Sequence, residues 1–375
     1  MRKRFDVAAL PFVFALASCS SSNSTPSTPI QAPLPPVINN GSVPASVVPA
    51  GGYSVSVFAT LSGASSKPDS LVEGGGKIFV GTGDTVGPDG TPSAAGVAQT
   101  EVLQYDLSGK LQKTYEVPGH NDGLMLFDTS TLWAMSNEDS NVKLVTINIA
   151  SGAEQVYTPQ ASLVNATGGL PHGGGLDDMV DLGGTVYVSG SNPTASTTAA
   201  CPSNSSTPGC PNGVSAGAFA YKISLNGDGS TFNLVPVASS STVATNLMTN
   251  APGMLNVTDP DSETLSPDGS TLIVDGQGDS ELTFVKMGAT PSVSFLPLSG
   301  GEQVDDTRFA PSTPTFALLA DTPSNTIYRI DGPFMPGGAY SSGVTAFDST
   351  NVSSGAIAPL VSGFKAPHGL LFYTP

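Results

Sequence analysis

A pair of short β-type runs recurs through this chain, and this repeat limits the possible folds more than any other feature of the sequence. The first runs of successive pairs begin at Lys77, Thr131, Thr185, Thr271 and Thr315, which are 54, 54, 86 and 44 residues apart. Small and acidic residues follow each first run, and a second run with alternating apolar or aromatic residues comes next. The repeat therefore predicts a β-hairpin that recurs along the chain.

Two further runs complete most repeats. Upstream of each hairpin lies a run opened by acidic residues or a histidine, such as Asp122-Gly-Leu or His368-Gly-Leu. Downstream lies a fourth run, such as residues 113–117. Four strands per repeat of this length are typical of a β-propeller blade. The 86-residue interval contains either one long repeat or two repeats of which one is degenerate.

The two ends of the folded region complement each other. Residues 52–60 read as a strand without a repeat of its own, and the chain stops within a sixth opening strand that starts at His368. A blade built from both termini closes the ring and hides its edge strands. We therefore predict an all-β fold, a single β-propeller over residues 51–375, with six four-stranded blades and the last closed by both termini. Five or seven blades, or a large β-sandwich, are the alternatives.

The composition agrees with this fold and restricts the partners. The 43 Gly and 32 Pro residues interrupt the chain too often for long helices, and 39% of the residues are hydrophobic, which is too many for a disordered protein. The formal net charge is −17. Because nucleic-acid binding depends on Lys and Arg side chains that neutralise phosphates, nucleic acid is not expected as a partner.

The N-terminal segment predicts export. Residues 1–18 combine a basic start with an apolar stretch, which is typical of a signal peptide. The segment that ends at Cys19 resembles the bacterial lipobox, and this resemblance implies that a lipid on Cys19 attaches the protein to a membrane. Residues 19–50 are rich in Ser, Thr and Pro and are predicted to form a tether. We expect a lipid-anchored protein of the bacterial cell envelope, with Ser20 favouring the outer membrane; an ordinary signal peptide is the alternative.

Two cysteines remain beyond the predicted lipidation site. Cys201 and Cys210 lie in a stretch rich in Pro, Ser and Gly that holds no further Cys and no His. Disulfides persist in the environment that an exported chain reaches, whereas a metal site needs additional ligands. A local disulfide between Cys201 and Cys210 is therefore predicted.

The residues that open the innermost strands should converge on one mouth of the propeller channel. Imidazole with carboxylate suits zinc or a transition metal, carboxylate and carbonyl oxygens alone suit calcium, and a neutral histidine beside an aspartate suits a general base. The catalytic candidates are the three histidines of the chain, and the ligand or metal candidates are six aspartates: His120, His172 and His368; Asp122, Asp177, Asp178, Asp261, Asp305 and Asp306. The alternative is that these side chains cap strand ends and bind neighbouring loop backbones.

Two short motifs have structural interpretations. Residues 213–217 match the G-x-S-x-G pattern around Ser215, but a strand is predicted to follow, whereas a nucleophile elbow needs a helix there. Residues 259–263 carry alternating carboxylates as in a calcium loop, without the glycine and the distal glutamate of an EF-hand. Neither motif therefore defines a catalytic site.

The opening strands also indicate which propellers are similar. The patterns of residues 122–128, 266–274 and 367–372 resemble those of the NHL and gluconolactonase-like propellers, and the resemblance extends over most of residues 65–375. The single Trp argues against propellers with repeated Trp motifs. The resemblance implies a six-bladed hydrolase with a divalent metal in the channel, held by Glu, Asn and Asp. Neither Asp69 nor Glu73 is a convincing counterpart of the glutamate that opens the first blade in that group.

Two functions follow from these observations. The first is an exported scaffold that binds a protein, a glycan or a small molecule. The alternative is a metal-dependent hydrolase or lyase of the lactonase type at the channel mouth, with calcium or zinc as the cofactor. The incomplete ligand pattern favours the scaffold, and whether the chain is an enzyme stays open.

Overall fold

The structure is a computed structural model that describes residues 40–375 except 167, 192–194, 197–213, 216 and 302. The predicted signal peptide, the lipidation of Cys19 and the disulfide between Cys201 and Cys210 lie outside the described residues and stay predictions. Within the described part, no helix is long and apolar enough to cross a membrane.

Strands dominate the first half of the described chain. Two strands precede the repeats: β1 (Val48–Pro49) and β2 (Ser54–Thr60). The first unit contains β3 (Pro68–Glu73), β4 (Lys77–Thr82), β5 (Gln99–Asp106) and β6 (Leu111–Pro118). The second contains β7 (Asn121–Asp128), β8 (Thr131–Ser136), β9 (Lys143–Asn148) and β10 (Glu154–Pro159). The third contains β11 (Met179–Asp181), β12 (Val186–Ser189), β15 (Ala218–Leu225) and β16 (Thr231–Ser239), while β13 (Ala195–Ser196) and β14 (Val214–Ser215) pair with each other.

The second half continues the pattern. A hairpin of β17 (Ser241–Asn246) and β18 (Ala251–Asn256) precedes the fourth unit of β19 (Pro260–Leu265), β20 (Thr271–Gly276), β21 (Glu281–Lys286) and β22 (Ser292–Pro297). The remaining strands are β23 (Val304–Phe309), β24 (Phe316–Asp321), β25 (Thr326–Asp331), β26 (Ala339–Gly343), β27 (Ala346–Asn351), β28 (Ala356–Ser362) and β29 (Pro367–Tyr373). Short 3₁₀ helices span Ala161–Leu163, Gln277–Asp279, Ser299–Gly301 and Thr322–Ser324.

The innermost strands of the units contact one another in a closed cycle. β3 contacts β7, β7 contacts β11, β11 contacts β19, β19 contacts β23, β23 contacts β29, and β29 returns to β3. The last sheet has the order β2-β25-β24-β29, so the N-terminal strand forms its outer edge and the C-terminal strand its inner edge. The predicted all-β propeller closed by both termini is confirmed.

The last two units exchange strands, which differs from the repeats predicted along the sequence. β23 pairs with β26, with Arg308 opposite Tyr340, and does not pair with the hairpin β24–β25 that follows it. That hairpin instead pairs with β29 and β2. Sequence proximity assigned β23 to the wrong hairpin, because the pairing is decided by contacts between distant segments.

The long interval of the repeat is one extended unit. The hairpin β17–β18 adds to the outer edge of the fourth sheet, where β17 runs parallel to β22. A similar parallel contact joins β10 to β16, with Thr158 opposite Thr231. The insertion near residues 241–256 therefore enlarges an existing sheet and is not a separate degenerate repeat.

Apolar side chains pack between neighbouring sheets. Phe79 from the first unit packs with Leu124 and Leu132 from the second, and Trp133 from the second packs with Val188 from the third. Alternate residues of each strand face opposite neighbours, so both faces of a sheet are buried near the channel. This packing orients the inner strands along the channel.

Glycine follows the opening polar residue where inner strands approach most closely. A Cβ on Gly369 would overlap the carbonyl oxygen of Asp69, and one on Gly123 would overlap that of Asp177. The pattern of an acidic residue or histidine followed by Gly-Leu therefore has a packing cause, since a larger residue would separate adjacent inner strands.

We expect Gly369→Ala to destabilise the domain by roughly 1–3 kcal/mol, because the added methyl group forces two backbones apart. The matched control is Gly227→Ala, at a position with no heavy atom within 4 Å of the added Cβ, and it should change stability by less than about 0.5 kcal/mol. Urea unfolding of both variants measures the difference. Equal effects would contradict the close approach of β29 to β3.

Candidate metal centre

A polar cavity of about 550 Å³ opens where the inner strands begin. Its lining, among the described residues, includes one lysine and two histidines: Lys67, His120 and His368. It also includes eight carboxylates: Asp69, Asp122, Glu138, Asp139, Asp177, Asp259, Asp261 and Asp305. The structure therefore brings together two of the three histidines and four of the six aspartates selected from the sequence.

One position of the fold supplies most of these groups. The second residue of an inner strand lines the cavity in five units, namely Asp69 in β3, Asp122 in β7, Asp261 in β19, Asp305 in β23 and His368 in β29. The second residue of these strands therefore faces the mouth of the channel. Alignment of the repeats on this position is the signal that identifies Asp69, which sequence analysis had set aside.

His368 lies between two carboxylates. Its Nδ1 is 3.0 Å from Oδ2 of Asp305 and 3.6 Å from Oδ2 of Asp69. Gln277 donates a hydrogen bond from Nε2 to Oδ2 of Asp305 over 2.8 Å, which orients that carboxylate. The side chains of His368 and Asp69 remain 33% and 22% exposed, so this cluster faces the open cavity.

The electrostatics of this cluster follow from burial and crowding. Burial lowers the pKa of His368, but the carboxylates of Asp305 and Asp69 outweigh this and raise it to about 10. Burial raises the pKa of Asp69 to about 7, although His368 acts in the opposite direction. Burial and nearby carboxylates raise the pKa of Glu138 to about 8. Without a cation, protons on these side chains reduce the negative charge of the cluster, and a bound cation would balance the same charge.

His120 has a fixed tautomer. Its Nδ1 lies 2.7 Å from the carbonyl oxygen of Val86, and because a carbonyl only accepts, Nδ1 carries the hydrogen. Nε2 lies 3.3 Å from Oδ1 of Asp122. Burial lowers the pKa of His120, so the ring is neutral near pH 7. The lone pair of Nε2 therefore points towards a carboxyl oxygen.

Asp122 is also oriented by its neighbours. Its Oδ2 accepts hydrogen bonds from the backbone N–H groups of Asn137 and Glu138, over 3.1 and 3.3 Å. Burial raises the pKa of Asp122 well above its usual range, and the charges of Glu138 and Asp177 add to this effect. Oδ1 is left to face His120.

A third group combines two carboxyls. Asp177 and Asp261 line the same cavity, and each carboxyl acts on the pKa of the other. Burial is the main cause that raises both pKa values well above the usual range, and nearby carboxylates contribute further. This pair is therefore able to hold and release a proton next to the histidine clusters.

Ligand atoms converge in two sets. One atom each of Asp69, Asp305 and His368 lie within 4.8 Å of one another, and so do one atom each of Asp69, His120 and Asp122. Asp69 belongs to both sets. Imidazole nitrogen with carboxylate oxygen is a donor set that suits zinc or manganese.

The structure places His172 outside the cavity, so the proposed catalytic role for this residue is not supported by its position. Its Nδ1 is 2.9 Å from the hydroxyl of Tyr221, and its Nε2 is 2.8 Å from the carbonyl oxygen of Gly175. The side chain is wholly buried, and burial lowers its pKa to about 4. His172 therefore has the strand-and-loop role that the alternative interpretation assigned to these residues.

Asp178 and Asp306 bind an arginine rather than line the mouth. Nη2 of Arg308 lies 2.9 Å from Oδ2 of Asp178, and Nε lies 2.9 Å from Oδ1 of Asp306. Arg308 borders a second cavity, of about 790 Å³, at the opposite ends of the inner strands. Both aspartates are therefore neutralised inside the channel, and sequence position alone did not distinguish them from Asp177 and Asp305.

The pH dependence of stability follows from the raised pKa values. Between pH 6.5 and pH 9 the carboxyls of the unfolded chain are ionised and its histidines lose their remaining protons. In the folded chain His368, with a pKa of about 10, keeps its proton, while Asp69 and Glu138, with pKa values of about 7 and about 8, release theirs only within this window. Stability then falls as pH rises, by about 1.4 kcal/mol per pH unit for each full proton of difference. We expect the Tm, measured with a chelator present, to fall across this window.

A matched variant tests the cause of this pH dependence. Glu138→Gln removes one of the raised groups, so its Tm should fall less steeply between pH 6.5 and pH 9 than that of the unmodified chain. A Tm that rises or stays constant across the window would contradict the protonated cluster.

Comparison with known proteins gives matches among solved structures only. The sequence matches no protein-family model, and none of the curated proteins matches it. Among solved structures, a gluconolactonase from Xanthomonas campestris is 13% identical with a TM-score of 0.48, over 91% of this chain and 95% of that one. The periplasmic gluconolactonase of Pseudomonas aeruginosa is 14% identical with a TM-score of 0.42, over 82% and 88% of the two chains.

A third similar structure is the β-propeller domain of Swd1 from Myceliophteria thermophila. It is 10% identical with a TM-score of 0.40, over 82% of this chain and 74% of that one. Of these three solved structures, one is named a β-propeller domain and two are named gluconolactonases. At these identities the likeness concerns the fold alone.

Proposed function

We propose that this protein is a metal-dependent hydrolase of the lactonase type, with its catalytic cation held by Asp69, Asp305 and His368. The observation that carries the proposal is the convergence of one imidazole nitrogen and two carboxylate oxygens, from three different inner strands, in an open cavity. Catalytic metal sites keep a position open for water or substrate, and the partial exposure of His368 and Asp69 leaves such room.

The scaffold function favoured by the sequence depended on a missing ligand. The first unit had no convincing acidic residue at the mouth, because Asp69 had been set aside. In the fold, Asp69 occupies the same position in its strand as Asp122, Asp261 and Asp305. A carboxylate from the first unit at the mouth supports a hydrolase over a scaffold, with an aspartate where the resembled propellers carry a glutamate.

The donor set fits a divalent cation. Eight carboxylates line the cavity against Lys67 and the protonated His368, so the metal-free mouth is crowded with negative charge. The raised pKa values of Asp69 and Glu138 are the direct consequence of this crowding and of burial. A cation replaces the protons that these groups hold, so metal binding should release protons and weaken at low pH.

Lactone hydrolysis needs an activated water and a proton for the leaving oxygen. When bound, the cation is expected to polarise the lactone carbonyl and lower the pKa of a water. The water oxygen adds to the carbonyl carbon, and the acyl C–O bond of the ring then breaks. In this proposal a protonated carboxyl of Asp177 or Asp261, whose pKa values burial raises, gives its proton to the ring oxygen and regains one from the water, so the carboxyl ends unchanged.

The charge of the cavity restricts the substrate. Carboxylates that remain after a cation binds repel anions, so a neutral lactone should be preferred to a phosphorylated one. This preference distinguishes the site from one that recognises a phosphate group.

The test is removal and replacement of the metal. The purified full chain, stripped with a chelator, should not hydrolyse glucono-1,5-lactone, and added Zn²⁺ or Mn²⁺ should restore the activity. The 6-phosphate of the same lactone should be a much poorer substrate. A chain that binds metal tightly yet hydrolyses none of a panel of neutral lactones would overturn the hydrolase proposal.

A further inference from the structure

Asp69 also belongs to a second, more deeply buried cluster. We propose that the mouth holds two divalent cations bridged by Asp69, with the second cation bound by His120 and Asp122. This inference rests on the proposed function, because it adds a second metal to the same site. Both clusters line the cavity, but the second is more deeply buried, since the side chains of His120 and Asp122 are only 12% and 6% exposed.

The backbone fixes the orientation of His120. Nδ1 donates to the carbonyl oxygen of Val86, which fixes the ring and leaves Nε2 without a hydrogen. Histidines that bind metals usually donate their other N–H to a carbonyl or a carboxylate in this way, because the contact fixes both the tautomer and the ring plane. The Val86 carbonyl therefore prepares Nε2 to act as a ligand.

Backbone N–H groups also fix the orientation of Asp122. The backbone N–H groups of Asn137 and Glu138 bind Oδ2, so the carboxyl group cannot turn away, and Oδ1 faces Nε2 of His120 at 3.3 Å. The residue is only 5% exposed. Two lone pairs that face each other in a buried site require a positive centre between or beside them.

Asp69 lies between the two clusters. One of its ligand atoms lies within 4.8 Å of those of His120 and Asp122, and one lies within 4.8 Å of those of His368 and Asp305. A carboxylate has two oxygens and so is able to contact two ions. Hydrolases with two metals hold them roughly 3.5–4 Å apart, and a shared carboxylate is suited to that spacing.

The charge of the cavity agrees with two ions. One divalent cation balances two of the eight carboxylates, whereas two cations with four charges leave fewer uncompensated groups around the mouth. The rival arrangement places a proton between His120 and Asp122 instead of a metal. The two arrangements differ in metal content, so direct measurement separates them.

The experiment uses Mn²⁺ as the probe. The purified full chain is dialysed against MnCl₂ and its manganese content is measured together with a low-temperature EPR spectrum. We expect two manganese ions per chain and the spectrum of an exchange-coupled pair. His120→Asn and His368→Asn should each retain one ion and show the spectrum of an isolated ion. His172→Asn is the matched control, because this histidine lies outside both clusters, and it should retain the coupled pair.

Each outcome is decisive. One ion in the unmodified chain, lost in His368→Asn and kept in His120→Asn, overturns the second site while the proposed function stands. Two ions without exchange coupling overturn the bridge through Asp69. The absence of bound manganese in every variant overturns both the second site and the proposed catalytic cation.

Discussion

Replacement of Arg308 by methionine is expected to destabilise the domain by about 3–5 kcal/mol, because it leaves buried charges without a partner. Arg308 lies in the fifth unit and binds Asp178 from the third and Asp306 from its own strand. It also donates hydrogen bonds to the carbonyl oxygens of Glu263 in the fourth unit and Leu370 in the sixth. One side chain thus connects the inner strands of four units.

The loss of stability in Arg308→Met should come from buried carboxylates that lack a counter-charge and not from lost packing. Methionine retains most of the aliphatic volume, whereas Asp178 and Asp306, each about 2% exposed, lose their counter-charge. Burial already raises the pKa of Asp306 to about 7 with the arginine present, so the variant should hold this carboxyl protonated. The expected loss of stability should therefore be larger at pH 8 than at pH 5.

Two comparisons isolate this effect in guanidinium unfolding. Lys286→Met removes a positive charge at the exposed end of β21 and should change stability by less than about 0.5 kcal/mol. Adding Asp178→Asn and Asp306→Asn to Arg308→Met should restore part of the loss, because no buried charge then remains unpaired. If Arg308→Met were no more harmful than Lys286→Met, the arginine would not be the partner of these aspartates.

Exchange of His368 for asparagine is expected to lower kcat/KM for a neutral lactone by about 10³-fold, which corresponds to ~4 kcal/mol of transition-state stabilisation. The reason is loss of a ligand to the proposed catalytic cation beside Asp69 and Asp305. The affinity for Zn²⁺, measured by calorimetry, should fall in parallel. Asparagine retains a polar group of similar size, so the fold should be preserved.

His172→Asn is the matched control for this prediction. It removes a buried imidazole that bonds Tyr221 and Gly175, so it should cost roughly 1–3 kcal/mol of stability and leave metal affinity and turnover unchanged. We therefore expect His368→Asn to lose activity with its fold preserved, and His172→Asn to lose stability with its activity preserved. A fall in turnover for His172→Asn with intact metal content would contradict the placement of the site.

The local pattern of the sequence predicted much of the site. Asp122, Asp261, Asp305 and His368 open inner strands, and strands that begin at one mouth bring their second residues together. The same reasoning grouped His172, Asp178 and Asp306 with them, because position near a strand start does not reveal which way a side chain turns. Asp178 follows Asp177 directly, yet it turns inward to Arg308 while Asp177 faces the cavity.

The repeat in the sequence by itself determined an all-β propeller closed by both termini. Strand length, the alternation of apolar and polar residues, and turn residues are local properties of the sequence that recur in each unit. Only the tertiary structure decided that β23 pairs with β26 and not with the hairpin that lies between them in the sequence. It also decided that Arg308 neutralises Asp178 and Asp306, two of the six candidate aspartates. The tertiary structure likewise placed Asp69 within reach of both His120 and His368. These features depend on which distant groups meet in a low-dielectric interior. In this interior, a charged or polar group pairs with the group that lies near it in space, and the spacing of residues along the chain does not specify which group that is.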